Sequence, residues 1–106
     1  MEYISGLENL NKCLNCEQYV LLFFTAGWCG PCKRIYPELE ELYVKLNKDL
    51  VKIYKLDVDE EENIEILKIF KIKSMPSFCL MKDKSCINTF NGSDIEGIKK
   101  MLNIQE

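Results

Sequence analysis

Histidine is absent from this chain of 106 residues, proline occurs three times, glycine five times and tryptophan once. No imidazole, therefore, can stand beside or between its cysteines. The prolines and glycines are scattered, so no linker, repeat or low-complexity segment divides the sequence, and a single domain over residues 1–106 is expected. The longest apolar run, Tyr19 to Phe24, is far too short to span a bilayer. The opening "MEYISGLENLNKC" carries Glu2, Glu8 and Lys12 and no continuous apolar core, unlike a secretory signal, which points to the cytoplasm. An excess of either sign of charge is missing too. Fourteen basic and seventeen acidic residues leave a net charge of −3, which gives no basis for a nucleic-acid or lipid-surface partner. The run "DEEE" at 59–62 reads as the solvated start of a helix.

What is present is an ordinary globular composition, 47% hydrophobic and 29% charged, with six cysteines. In a reducing compartment, closely spaced cysteines are catalytic or metal-binding before they are structural staples. Helical and strand patterns alternate along the chain. A short strand at 3–5 precedes "SGLE" at 5–8, which has the form of a capping box, with Leu7, Leu10 and Leu14 following on one helix face. "YVLLFFTA" at 19–26 reads as a strand buried on both faces. From Pro31, the residues Ile35, Leu39, Leu42 and Leu46 recur on one face of a long helix. A strand at 51–58, a helix at 63–70 and strands at 77–81 and 86–90, joined by "KDKS", come next. "SDIE" at 93–96 forms a second capping box, opening a last helix with Ile95, Ile98, Met101 and Leu102 inward. The order β-α-β-α-β-α-β-β-α predicts an α/β fold in three layers, with a central mixed sheet of four to five strands flanked by four helices.

On those elements, Cys29 falls just after a buried strand and at the start of a helix, with Pro31 in the first turn, where a missing N–H costs nothing. The unpaired N–H groups and positive dipole end of that helix favour a thiolate, and Lys33 and Arg34 add modestly to the field. The thiolate is the nucleophile of disulfide exchange, and exchange asks for a low-pKa, partly exposed cysteine. Cys32 lies one turn deeper, placed to attack a mixed disulfide formed at Cys29. Gly30 and Pro31 close the loop between the two.

The segment "WCGPCK", with "LDVD" at 56–59, "MPSF" at 75–78 and "FNG" at 90–92, resembles the thioredoxin family over nearly the whole chain. The resemblance implies the thioredoxin fold and a thiol–disulfide oxidoreductase that reduces protein disulfides through a Cys29–Cys32 couple. Cys29 matches the attacking cysteine and Cys32 the resolving one. Trp28, Gly30, Pro31, Met75, Pro76 and Gly92 match the substrate-binding surface, with Met75–Pro76 as a cis peptide. A cis X-Pro bond would let Met75 present its N–H and C=O to an extended chain, and Gly92 would permit close approach. A proline leading a strand is the plain alternative for Pro76. The expected partners are a thioredoxin reductase and disulfide-containing proteins. No cofactor beyond the redox-active disulfide is implied, and the expected state is a monomer.

The sequence departs from the family at one position. Thioredoxins carry a buried aspartate six residues before the first cysteine, near a lysine matched here by Lys55; this chain has Phe23 there. Loss of the carboxylate removes a negative charge that would disfavour the Cys29 thiolate, and it deprives Cys32 of a local base. Lys55 is then left either to pair with Asp57 or to extend to solvent.

The spacing Cys13-x2-Cys16-x12-Cys29-x2-Cys32 is formally near that of a four-cysteine zinc site. The intervening "YVLLFF" belongs in a sheet core, which argues against zinc. Cys13 and Cys16, if both helical, would have Cβ atoms about 5–6 Å apart, whereas a disulfide wants about 3.8 Å. They read as small side chains near a helix end. Cys79 reads as a buried, inert hydrophobe, and Cys86 as a free thiol near the surface that could take glutathione or pair between molecules. A redox-inert adaptor on the same fold, binding a partner through the Pro76 face, is the alternative function. A secretory oxidase or isomerase is disfavoured by the missing export signal and the missing histidine between the cysteines.

Overall fold

The computed structural model describes residues 1–103. Five strands form one sheet: β1 (Glu2–Tyr3), β2 (Tyr19–Thr25), β3 (Val51–Asp57), β4 (Ser77–Lys82) and β5 (Ser85–Asn91). Their spatial order is β1-β3-β2-β4-β5, with β1, β3 and β2 parallel and β4 and β5 antiparallel to their neighbours. The helices are α1 (Leu7–Leu14), α2 (Gly30–Lys45), α3 (Ile64–Ile69) and α4 (Ile95–Asn103), with a 3₁₀ turn at Glu61–Asn63 leading into α3.

β2 holds the centre of the sheet, and its residues Val20 to Phe24 are buried without alternation, as a strand covered on both sides requires. Its odd and even positions feed two cores. Leu21 and Phe23 face Cys32, Ile35 and Leu39 of α2 and Ile98, Met101 and Leu102 of α4. Val20, Leu22 and Phe24 face Leu10 and Leu14 of α1 and Ile66 of α3. This is the three-layer arrangement expected from the sequence. Leu42 and Leu46 sit only partly buried at the far end of α2's stripe. Pro37 lies inside α2, where it removes the N–H that Lys33 C=O would otherwise accept.

Both capping boxes are displaced from their sequence positions. Gly6, at φ 89°, is the N-cap of α1, and its conformation rather than the Ser5 hydroxyl turns the chain into the helix. At α4, Asp94 takes the place foreseen for Ser93, its Oδ1 accepting from Glu96 N–H at 3.0 Å. The strands at 51–57 and 77–82 keep their expected places within a residue, while the first strand ends at Tyr3, before Ser5. Asp83 and Lys84, at φ 52° and 66°, make the two-residue hairpin turn within "KDKS".

Candidate active site

The parallel strands deliver their C-terminal ends to one edge of the molecule, and the cysteine pair sits there. β2 ends at Thr25, and four residues later Cys29 is the N-cap of α2, in extended conformation at φ −85°, ψ 109°. Gly30 and Pro31 occupy the first helical positions, where proline's ring favours the turn and its lacking N–H is no loss. Cys29 Sγ accepts the backbone N–H of Cys32 at 3.2 Å, and the two cysteines are joined as a disulfide with Cα atoms 5.3 Å apart. A helix-terminal N–H aimed at the sulfur is the interaction that stabilises a thiolate there once the bond is reduced.

Exposure is divided differently from the sequence-based expectation. Cys29 is only 3% exposed and Cys32 2%, both packed into the core beneath α2, whereas Trp28 is 66% exposed. At the N-cap of α2, Cys29 joins Ala26 and Cys32 in the core cluster, and the indole before it is the outward group.

The other matched residues lie next door because β4 pairs with β2. Ser77 stands opposite Phe24 and, on its other side, opposite Asn91. The Met75–Pro76 peptide immediately before β4 is cis. Met75 packs against the cluster that contains Cys29 and Cys32, and Pro76 C=O accepts Gly92 N–H at 3.0 Å. Gly92 has φ 125°, a conformation that side chains disfavour. Among the described residues, no backbone hydrogen bond engages Met75.

Behind Cys32 an open cleft of about 380 Å³ is lined by Tyr3, Ala26, Cys32, Tyr36, Lys55 and Asp57. Lys55 settles there in a way the sequence did not reveal. It is 8% exposed, its Nζ donates to Tyr36 Oη at 3.2 Å and lies 4.0 Å from the centre of the Tyr3 ring and 4.8 Å from that of Tyr36. It is nearly buried at the cleft wall rather than extended into solvent, and among the described residues it makes no ion pair with Asp57, whose Oδ1 instead accepts Asp59 N–H at 2.9 Å. Aromatic faces attract a desolvated ammonium, and the two tyrosines take the role foreseen for a carboxylate. Phe23 is fully buried and stacked on Phe78.

Asn63 also escaped the sequence reading. It is fully buried, accepts Gly6 N–H at 2.9 Å and donates to Asp57 C=O at 2.9 Å, which ties the start of α1 to the end of β3. Cys16 lies beyond the end of α1, so the helical spacing assumed for Cys13 and Cys16 does not hold. No cluster of three or more His, Cys, Asp or Glu among the described residues could hold a metal ion, and no described helix is long and apolar enough to cross a membrane.

The thioredoxin family model matches residues 5–104. The chain belongs to the thioredoxin family. It is 40% identical over 88 residues to a thioredoxin of Bacillus subtilis, covering 82% of each chain, and 30% identical over 102 residues to one of Coprinus comatus, covering 96% of this chain and 94% of that one. The crystal structure of Malassezia sympodialis thioredoxin superposes with a TM-score of 0.90 at 30% identity, over 99% of this chain and 90% of that one. The fold is the thioredoxin fold. With the disulfide-bonded pair at the active-site position, these likenesses make this member of the family a protein thiol–disulfide oxidoreductase.

Proposed function

We propose that the chain, as one thioredoxin domain, works as a cytoplasmic protein-disulfide reductase in which Cys29 attacks and Cys32 resolves. The Cys29 thiolate bonds to one sulfur of a substrate disulfide, whose S–S bond breaks and whose other sulfur leaves and takes a proton. Cys32 then attacks Cys29 Sγ, the second substrate thiol departs, and the Cys29–Cys32 disulfide remains. A thioredoxin reductase returns two electrons to it and resets the dithiol. The observation that carries this assignment is the Cys32 N–H directed at Cys29 Sγ from the first turn of α2.

The substrate surface is assigned to Trp28, Gly30, Pro31, Met75, Pro76 and Gly92. Support comes from the exposed indole, from Met75 packing on the cysteine cluster and from its backbone lacking a partner among the described residues. An extended substrate chain could pair with Met75 as an added strand. No observation favours a redox-inert adaptor. With Phe23 where the family resemblance implies an aspartate, Cys32 loses that carboxylate as its local base, and we assign to this chain a resolving step that is slower or more dependent on pH.

Trapping tests the roles. Cys32→Ser should accumulate a mixed disulfide between Cys29 and a disulfide-containing protein, resolved by mass spectrometry of the linked peptide. Cys29→Ser should accumulate none. Equal trapping by the two variants would overturn the assignment.

A further inference from the structure

Cys79 of β4 and Cys86 of β5 are neighbouring thiols on one face of the hairpin. An irregularity in the ladder creates this contact. Cys79 lies opposite Thr89 and Leu80 opposite Asn88, a register that would put Ile87 opposite Met81. Between Leu80 and Met81 the register shifts, and Cys86 stands opposite Met81 instead. A slip of one residue turns a side chain to the other face of a sheet, so the bulge carries Cys86 onto the face that Cys79 and Met81 share. Ile87, the displaced residue, is 48% exposed.

Access to the two sulfurs is unequal. Cys79 is 3% exposed, whereas Cys86 is exposed, its Sγ also donating to Asn88 C=O at 3.5 Å. A small disulfide in solution can reach Cys86 and not Cys79.

We propose that Cys79 and Cys86 form a second dithiol–disulfide couple, separate from the active site, with Cys86 as the sulfur attacked first and a glutathione-type disulfide as the oxidant. The Cys86 thiolate attacks one sulfur of the oxidant, its S–S bond breaks, and one small thiol leaves with a proton. The Cys79 thiolate then attacks Cys86 Sγ, the bond to the remaining small thiol breaks, and that thiol leaves with a second proton. Two electrons pass from the protein to the oxidant, and a Cys79–Cys86 disulfide ties the edge strand β5 to β4. Burial first, and then the neighbouring Cys86, push the Cys79 thiol up to about 12. The second step is therefore slow at neutral pH and quickens in alkali. Contact across the strands compensates, because an attacking group held beside its target acts at a high effective concentration.

The sequence makes the test clean. Trypsin cuts after Lys73, Lys82, Lys84 and Lys99, leaving Cys79 on residues 74–82 and Cys86 on 85–99, while Cys13, Cys16, Cys29 and Cys32 share residues 13–33. The reduced full-length protein is treated with glutathione disulfide over a range of pH, and its monomer band is digested without reduction. The expected product is peptide 74–82 linked to 85–99, forming faster as pH rises. Cys86→Ser should lose the link, and Cys79→Ala should retain glutathione on Cys86. A wild-type protein that stops at a glutathione adduct on Cys86, that does not react there, or that yields the link only from a covalent dimer would overturn the proposal. None of these results bears on turnover at Cys29, so the two readings fail separately.

Discussion

The rings of Phe23 and Phe78 lie parallel, 6° between their planes and 5.0 Å between their centres, at directly opposed positions of β2 and β4. Both are fully buried, in the same cluster as Cys29 and Cys32. The position where the family resemblance implies a carboxylate is here part of an aromatic stack at the middle of the sheet.

That stack sets two expectations for Phe23. Phe23→Ala should cost about 3–5 kcal/mol, the usual loss for a buried phenylalanine, read from the urea midpoint. Phe23→Asp should be destabilised at least as much, since a buried carboxyl adds a desolvation cost. It should nevertheless turn over faster per folded molecule near neutral pH, with a shifted pH–rate profile, because Cys32 regains a local base. An unchanged pH profile in a folded Phe23→Asp protein would contradict the role given to this position.

Lys55 offers a test of how a nearly buried ammonium is held. Its Nζ has Tyr36 Oη at 3.2 Å as a hydrogen-bond acceptor. Tyr36→Phe keeps the ring face and removes the acceptor, so it should destabilise the protein by about 1.5–3 kcal/mol, the range for hydrogen bonds to charged groups. A loss below a few tenths of a kcal/mol in equilibrium unfolding would mean that the aromatic faces alone hold the charge.

Alkaline pH should destabilise the fold through groups on the α1 side of the sheet. Burial, ahead of every other cause, pushes Cys79 up from 9.0 to about 12 and Tyr54 up from 10.0 to about 12. Cys13, hydrogen-bonded to Tyr54, is also raised, again by burial first. A raised acid keeps its proton in the folded state after the unfolded chain has lost it, so the unfolded state binds fewer protons and stability falls with pH. This contribution is whole below the unfolded values and disappears as pH climbs towards the folded ones. The urea midpoint should therefore decline from about pH 9 upward, and Cys79→Ala should remove the earliest part of the decline. A midpoint flat to pH 12 would refute it.

Much of this was legible in the sequence because period and burial agree. The unbroken apolar run of β2 announced a strand covered on both sides, and the stripe of Ile35 and Leu39 announced the helix behind the cysteines. The family resemblance, rather than periodicity, supplied the cis peptide at Pro76. What escaped depended on contacts between distant segments. Gly6 and Asp94 displaced the serines of two plausible capping boxes, because φ and local geometry decide a cap where composition only permits one. Lys55 could not be placed without knowing that Tyr3, on the neighbouring strand, and Tyr36, a turn beyond Cys32, converge on it. The Cys79–Cys86 contact arises from a one-residue register shift, which no strand pattern encodes. Cys29 was expected to be partly exposed, because disulfide exchange asks for it, but at the N-cap of α2 it is buried.

The most direct test of the central claim is catalytic reduction of a protein disulfide with a small dithiol as electron source, wild type beside Cys29→Ser. Turnover by the wild type that disappears in the variant is the predicted result. Equal rates in the two proteins, or no turnover by a folded wild type, would contradict a reductase built on Cys29 and Cys32.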